Sequence, residues 1–173
     1  WGLPQWTPAM PKSYKIRKSD QTPAMNNKVV YFPSCINQTM GLAKDSPVDQ
    51  PLVKQMLSLL QKAGYEVIFP PKMEKLCCGT IWESKGMLDI ADSKSTELEA
   101  ALWEASEQGR YPVLCDQSPC LHRMRATIQK IKLYEPAEFI YTFLRDKLEF
   151  TPTDRPIAIH ITCSMRKMGL AKH

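Results

Sequence analysis

One stretch of this chain occurs twice. Cys35-Ile-Asn-Gln-Thr-Met-Gly-Leu-Ala-Lys44 returns 128 residues later as Cys163-Ser-Met-Arg-Lys-Met-Gly-Leu-Ala-Lys172, with Met-Gly-Leu-Ala-Lys identical in both. Each copy follows an apolar run, Val29–Phe32 in the first and Ile157–Ile161 in the second. An identity in register with both a cysteine and an apolar run marks a repeated supersecondary unit, which limits the folds open to the chain. The unit spans residues 28–155, and 156–173 are expected to be the start of a truncated second unit. Residues 1–27, with four prolines and no sustained period, are expected to be a linker arm anchored by Trp1 and Trp6. Because the chain opens on Trp1 rather than Met, it is expected to be a piece of a longer protein.

Inside the unit, short apolar runs alternate with helical patterns. Val29–Phe32, Val67–Phe69, Pro112–Cys115 and Leu133–Tyr134 are expected strands, with Pro156–Ile161 as one more. Between them, Leu52, Val53, Met56, Leu57, Leu60 and Ala63 recur at helical spacing, as do Leu88, Ala91, Leu98, Ala101, Leu102 and Ala105. Further helices are expected from Leu121, Met124, Ile128 and Ile131, and from Phe139, Ile140, Phe143 and Leu144. Strand–helix alternation implies right-handed crossovers. The fold class is therefore α/β, a three-layer arrangement with a mostly parallel sheet of four or five strands and helices on both faces.

The six cysteines then take on a pattern. Cys35 follows the first strand, Cys77-Cys78 lie beyond the second, Cys120 follows the third, and Cys163 follows the last. In a parallel sheet all these exits share one edge, the edge at which open α/β sheets bind ligands. A chain of 173 residues can bury a core without disulfide staples. Adjacent cysteines also suit metal, cluster or redox chemistry in a reducing compartment better than a disulfide framework. Cys115, inside the apolar stretch from Tyr111, is expected to be a small buried hydrophobe.

These residues resemble a known family. A cysteine after the first strand, Cys77-Cys78-Gly79 some forty residues on, and Asp116-Gln-Ser-Pro-Cys-Leu-His122 a similar distance further resemble the cysteine-rich CCG domain. That domain occurs in heterodisulfide reductase B-type subunits and glycolate oxidase iron–sulfur subunits, and at the C-terminal end of large FAD-linked dehydrogenases of D-lactate or D-2-hydroxyglutarate. Trp6-Thr-Pro-Ala-Met-Pro11 resembles the segment after the ferredoxin-like domain of the last group. The resemblance implies an iron–sulfur cluster of the 4Fe–4S kind held by Cys35, Cys77, Cys78 and Cys120. The family's closing Cys-x-x-Cys is not met, because Arg123 stands three residues after Cys120. The implied function is electron transfer from FAD, bound in another domain of the parent, to an electron acceptor whose identity the sequence does not give. The implied partners are flavin and ferredoxin-like domains of the same parent chain. The implied location is cytoplasmic, with peripheral attachment of the parent at the inner membrane left open.

Blander readings stand beside these. Four thiolates also satisfy tetrahedral zinc, and metal-free thiols in a structural, partner-docking domain are a third reading. His122 is expected on the solvent side of a helix start, and His160 within a sheet. Arg123, Arg125, Lys130 and Lys132 are expected to form a solvated helix face. A net charge of +5, without basic residues interleaved with stacking aromatics, argues against nucleic acid. No apolar run approaches the roughly 18 residues of a membrane span. No Gly-rich phosphate loop is present, so FAD and NAD are not expected to bind within these residues.

Overall fold

The computed structural model describes residues 22–172 together with positions 13, 15, 16 and 20. Trp1, Trp6 and segment 6–11, and with them most of the expected linker arm, lie outside the described residues. Residues just before the sheet run beside its edge. Thr22 accepts a hydrogen bond from the Val67 amide (2.6 Å), and the Met25 amide donates to Glu66 (3.2 Å).

Four strands form one wholly parallel sheet: β1 (Asn27–Phe32), β2 (Tyr65–Ile68), β3 (Val113–Cys115) and β4 (Leu133–Tyr134), in the order β2-β1-β3-β4. β1 is central because its Val-Val-Tyr-Phe run is buried on both faces. Val29 and Tyr31 point into one core, and Val30 and Phe32 into the other, as the two-residue period of a strand requires. Register is fixed at Val29↔Val67, Val30↔Val113 and Val113↔Leu133.

Helices cover both faces. Over one lie α4 (Leu88–Ala105), through Leu98 and Leu102, and α5 (Ser118–Thr127), through Leu121 and Met124. Over the other lie α2 (Leu52–Lys62), through Val53, Met56, Leu57 and Leu60, and α6 (Pro136–Phe139), through Phe139. The α2 residues recur at i, i+3, i+4 and i+7, and each buried side chain stabilises the layer by about 1.5–3 kcal/mol. Two short helices, α1 (Cys35–Thr39) and α3 (Thr80–Glu83), sit at strand exits, and α7 (Cys163–Lys167) packs against α5. The sequence reading of a three-layer parallel α/β fold matches this architecture.

Three local expectations fail, each for a physical reason. Residues 156–161 form no strand, and Ile157 (72% exposed) and Ile159 (83%) stand in solvent without a neighbouring strand. An apolar alternation becomes a strand only where a pairing edge is offered. His160 is accordingly exposed rather than a sheet residue. The helix expected to run through Ile131 ends at Thr127, where Ile128 turns extended (φ −109°) so that the chain can enter β4. The basic face expected on that helix is also broken. Arg123 is buried at 5% exposure, and Arg125 is half-buried, donating to the Leu133 carbonyl and pairing with Glu138.

The repeat carries through to structure. α1 and α7 have the same length at the same register, and each is capped by a hydroxyl on the preceding residue. Ser34 accepts from the Asn37 amide (3.4 Å) and Thr162 from the Met165 amide (3.3 Å), with both capping residues extended at φ −60° and −65°.

Candidate metal centre

Three loops at the carboxyl edge of the sheet bring the cysteines together. The first leaves β1 through Pro33-Ser34 into α1, whose first residue is Cys35. Its position is set by Asp116 at the exit of β3. Asp116 Oδ1 accepts from the Ser34 amide (2.8 Å) and Oδ2 from the Tyr31 hydroxyl (2.7 Å), all within the buried interior. Burial, followed by the Asp116 charge, holds the Tyr31 phenol far above its ordinary range. A carboxylate that ties two adjacent strand exits fixes the separation of the loops they lead into.

The second loop carries Cys77-Cys78-Gly79 into α3. Gly79 has φ +87°, and a Cβ there would lie 2.8 Å from Arg123 Nε and closer still to the Ala91 carbonyl oxygen. Both the left-handed backbone and the close approach require glycine. The Gly79 amide donates to Cys77 Sγ (3.4 Å), and the Ser95 hydroxyl donates to the Cys78 carbonyl (3.2 Å). Beneath the turn, Arg123 pairs with Glu83 of α3 and Asp92 of α4, each at 2.6 Å, and its Nε has no hydrogen-bond partner. A guanidinium with two carboxylates has the geometry to join three helices. Arg123 thus ties α5 to both elements that follow the Cys-Cys-Gly turn.

The third loop leaves β3 at Cys115 and enters α5, with Cys120 in its first turn. The Cys78 and Cys120 thiols influence each other's ionisation. The Cys78 thiol donates to Thr80 (3.2 Å), whose hydroxyl donates to the Pro119 carbonyl (3.5 Å). The Cys120 thiol, opposed by burial and aided by Thr80, holds Cys78 below the ordinary thiol range. Cys120 itself is held above that range by Cys78 and by burial. Burial raises Cys35, and the neighbouring Cys77 and Cys78 charges raise it further. Burial also raises Cys77.

The four sequence candidates Cys35, Cys77, Cys78 and Cys120 therefore share one rim. Cys35 is exposed, Cys77 half-buried, and Cys78 and Cys120 buried. Cys115 is fully buried, as expected of it, yet its charge is felt by Cys120 and it in turn feels Cys78 and Cys35. It forms part of the floor of the rim. Cys163 lines a cavity of about 360 Å³ with Thr80, Pro119, exposed His122 and Arg123, beside the same turn. Tyr31 and Arg123 were not legible as parts of this site, and Asp116 was legible only as a member of the Asp116–His122 match, without its partners. A buried aspartate just past a strand and an arginine at a cysteine's i+3 position are the only sequence signals they leave.

Among the described residues, no group of three or more His, Cys, Asp or Glu side chains is arranged to hold a metal ion. Thiols are the donors a thiophilic ion takes, and here they lie along one rim rather than in a formed metal site.

The fold and rim together define a class: a parallel, three-layer α/β domain with a thiol-bearing carboxyl edge. Compared with protein-family models, curated proteins and solved structures, the chain matches none. No helix among the described residues is long and apolar enough to cross a membrane.

Proposed function

We propose that this chain is an electron-transfer domain of the cysteine-rich CCG kind, in which Cys35, Cys77, Cys78 and Cys120 hold an iron–sulfur cluster. Its place is within a flavin-linked 2-hydroxyacid dehydrogenase of the D-lactate or D-2-hydroxyglutarate type, in a reducing compartment. FAD and ferredoxin-like domains belong to the rest of the parent chain. The observation that carries the reading is the convergence of four thiols from three separate strand exits on one rim. When bound, such a cluster takes up and passes on single electrons.

The chain's own residues supply the surroundings. Cys78, held toward its thiolate by Cys120 and Thr80, is the ligand nearest its reactive form at neutral pH. The Gly79 amide donates to Cys77 Sγ, the type of contact that tunes a thiolate-bound centre. Asp116 and Arg123 set the loop positions and need not touch the centre. The test is anaerobic reconstitution with iron and sulfide, read by visible absorption and EPR. Wild type is expected to take up stoichiometric iron and sulfide, and Cys78→Ser to lose most of both. Wild-type protein that takes up no iron would overturn the proposal.

The second reading is a partner-docking domain with metal-free or zinc-bound cysteines. Metal analysis of anaerobically purified protein separates the two. Stoichiometric zinc that survives such a preparation selects the docking domain.

A further inference from the structure

We infer that Tyr31 and Asp116 are a redox-active pair, in which a strong one-electron oxidant takes an electron from the phenol while its proton passes to the carboxylate. Tyr31 is wholly buried, and its hydroxyl donates to Asp116 Oδ2 at 2.7 Å. Asp116 Oδ1 accepts from the Ser34 amide (2.8 Å), so both oxygens act as acceptors, the pattern of an ionised carboxylate. Ser34 precedes Cys35 and Asp116 follows Cys115, which puts the pair at the base of the thiol rim.

Electrostatics sets this tyrosine apart. Among the described tyrosines, three others carry a cation over the ring: Lys147 over Tyr65 (4.5 Å), Lys28 and Arg110 over Tyr111 (5.6 and 5.4 Å), and Arg145 over Tyr141 (5.0 Å). A cation held by the electrons of a ring opposes the removal of one of them. Tyr31 faces a carboxylate instead. Burying an anion is costly, and oxidation relieves that cost, because the proton leaving the phenol neutralises Asp116. Burial and the Asp116 charge also keep the phenol protonated until the electron leaves. The oxidant does not have to reach the ring. Tyr31 shares its core with Tyr65, Phe69, Phe139 and the half-buried Tyr134. Ring centroids there stand 6.0 Å apart for Tyr31 and Phe69, 5.6 Å for Tyr65 and Phe139, and 5.9 Å for Tyr134 and Phe139. An electron can tunnel outward through such a set of aromatic side chains.

Atoms and electrons balance in one step. The oxidant gains one electron, the Tyr31 O–H bond breaks, and an O–H bond forms at Asp116 Oδ2. The products are a neutral tyrosyl radical and a neutral carboxylic acid. The acid returns the hydrogen bond to the phenoxyl oxygen while Oδ1 still accepts from the Ser34 amide. One electron from a one-electron reductant reverses both transfers, so the pair stores a single oxidising equivalent without losing an atom.

The test uses the full metal-free chain with tris(bipyridine)ruthenium(III), generated by a laser flash, as the oxidant. Transient absorption and EPR of freeze-trapped samples read the product. A neutral tyrosyl radical is expected, identified by the narrowing of its EPR signal when ring-deuterated tyrosine is incorporated, and it is expected to form more slowly in deuterium oxide. Tyr31→Phe, which keeps the ring in the core, is expected to lose most of the signal. Asp116→Asn, which keeps an acceptor for the phenol but is no base, is expected to lose most of the yield. Circular dichroism shows whether both variants fold, and if Asp116→Asn does not, the isotope effect on the wild type decides in its place. Any of four results overturns the inference: no tyrosyl radical in the wild type, a signal undiminished in Tyr31→Phe, an unchanged yield in folded Asp116→Asn, or formation at the same rate in deuterium oxide. Radical formation and iron uptake are independent outcomes. Iron uptake without the radical defeats only the redox pair, and the radical without iron uptake defeats only the cluster.

Discussion

Residues 27–44 and 155–172 carry the same cysteine, a capping hydroxyl at the same place and the same Met-Gly-Leu-Ala-Lys, yet they share only part of their structure. The length of the short helix and the hydroxyl cap at its start are shared. The segments before the helix differ: β1 is the buried centre of the sheet, whereas 155–160 is exposed and unpaired. The segments after it differ too. Beyond α1 the chain leaves through an extended Met40 (φ −113°, ψ 101°). Beyond α7 it stops on Gly169 in the left-handed region (φ +71°), and a 3₁₀ turn over Leu170–Lys172 buries Leu170. A cap is satisfied within four residues and travels with its sequence. A strand, or the path of an identical pentapeptide, depends on partners that the local sequence does not contain.

The largest expected effect tests the strands. Val29→Asp places an unpaired charge in the sheet and is expected to cost about 4 kcal/mol or more, abolishing cooperative unfolding near neutral pH. Its counterpart Ile157→Asp is expected to change stability by less than about 0.5 kcal/mol. Urea denaturation monitored by circular dichroism measures both, and a comparable loss at Ile157 would show that the second strand is paired after all.

The next effect concerns the anchoring of the first copy. Asp116→Ala strands the Tyr31 hydroxyl and the Ser34 amide, and is expected to cost about 2–4 kcal/mol. Burial and then the Asp116 charge raise the Tyr31 phenol, so removing that charge moves its ionisation to lower pH, which ultraviolet titration detects. A loss below about 1 kcal/mol would mean that the exit loops hold their spacing without the carboxylate.

The smallest effect separates the identical pentapeptides. Gly169→Ala puts a Cβ on a left-handed residue in open space and is expected to cost about 1 kcal/mol. Gly41 is not among the left-handed glycines, so Gly41→Ala is expected to be neutral or stabilising by about 0.5 kcal/mol. Equal shifts in urea midpoint would erase the distinction between the two paths.

Much of this architecture was legible because its signals are local or periodic. All four strands coincide with expected apolar runs, and α2 and α4 follow their three-and-four spacing closely. Convergence of the thiols also followed from sequence, since parallel topology alone sends every strand exit to one edge. Pairing was not legible at 156–161, where the alternation is good and the partner is missing. Nor was the inner wall of the site. Arg123 shares its helix with solvent-facing residues, and only the positions of Glu83 and Asp92 make its burial tolerable. Asp116 matters through Tyr31 and Ser34, more than eighty residues away.

The strand order has a consequence for how the protein is made. β1 leaves the ribosome before the other three strands of this sheet and lies between β2 and β3, so Val30 must wait for Val113, roughly eighty residues later, before its second edge is covered. At about 5–20 residues per second, that edge stays open for about 4–16 s of synthesis. During that interval the most apolar strand of the sheet is exposed to any other nascent chain or chaperone within reach. The interval ends only when the loop bearing Cys115 and Asp116 arrives.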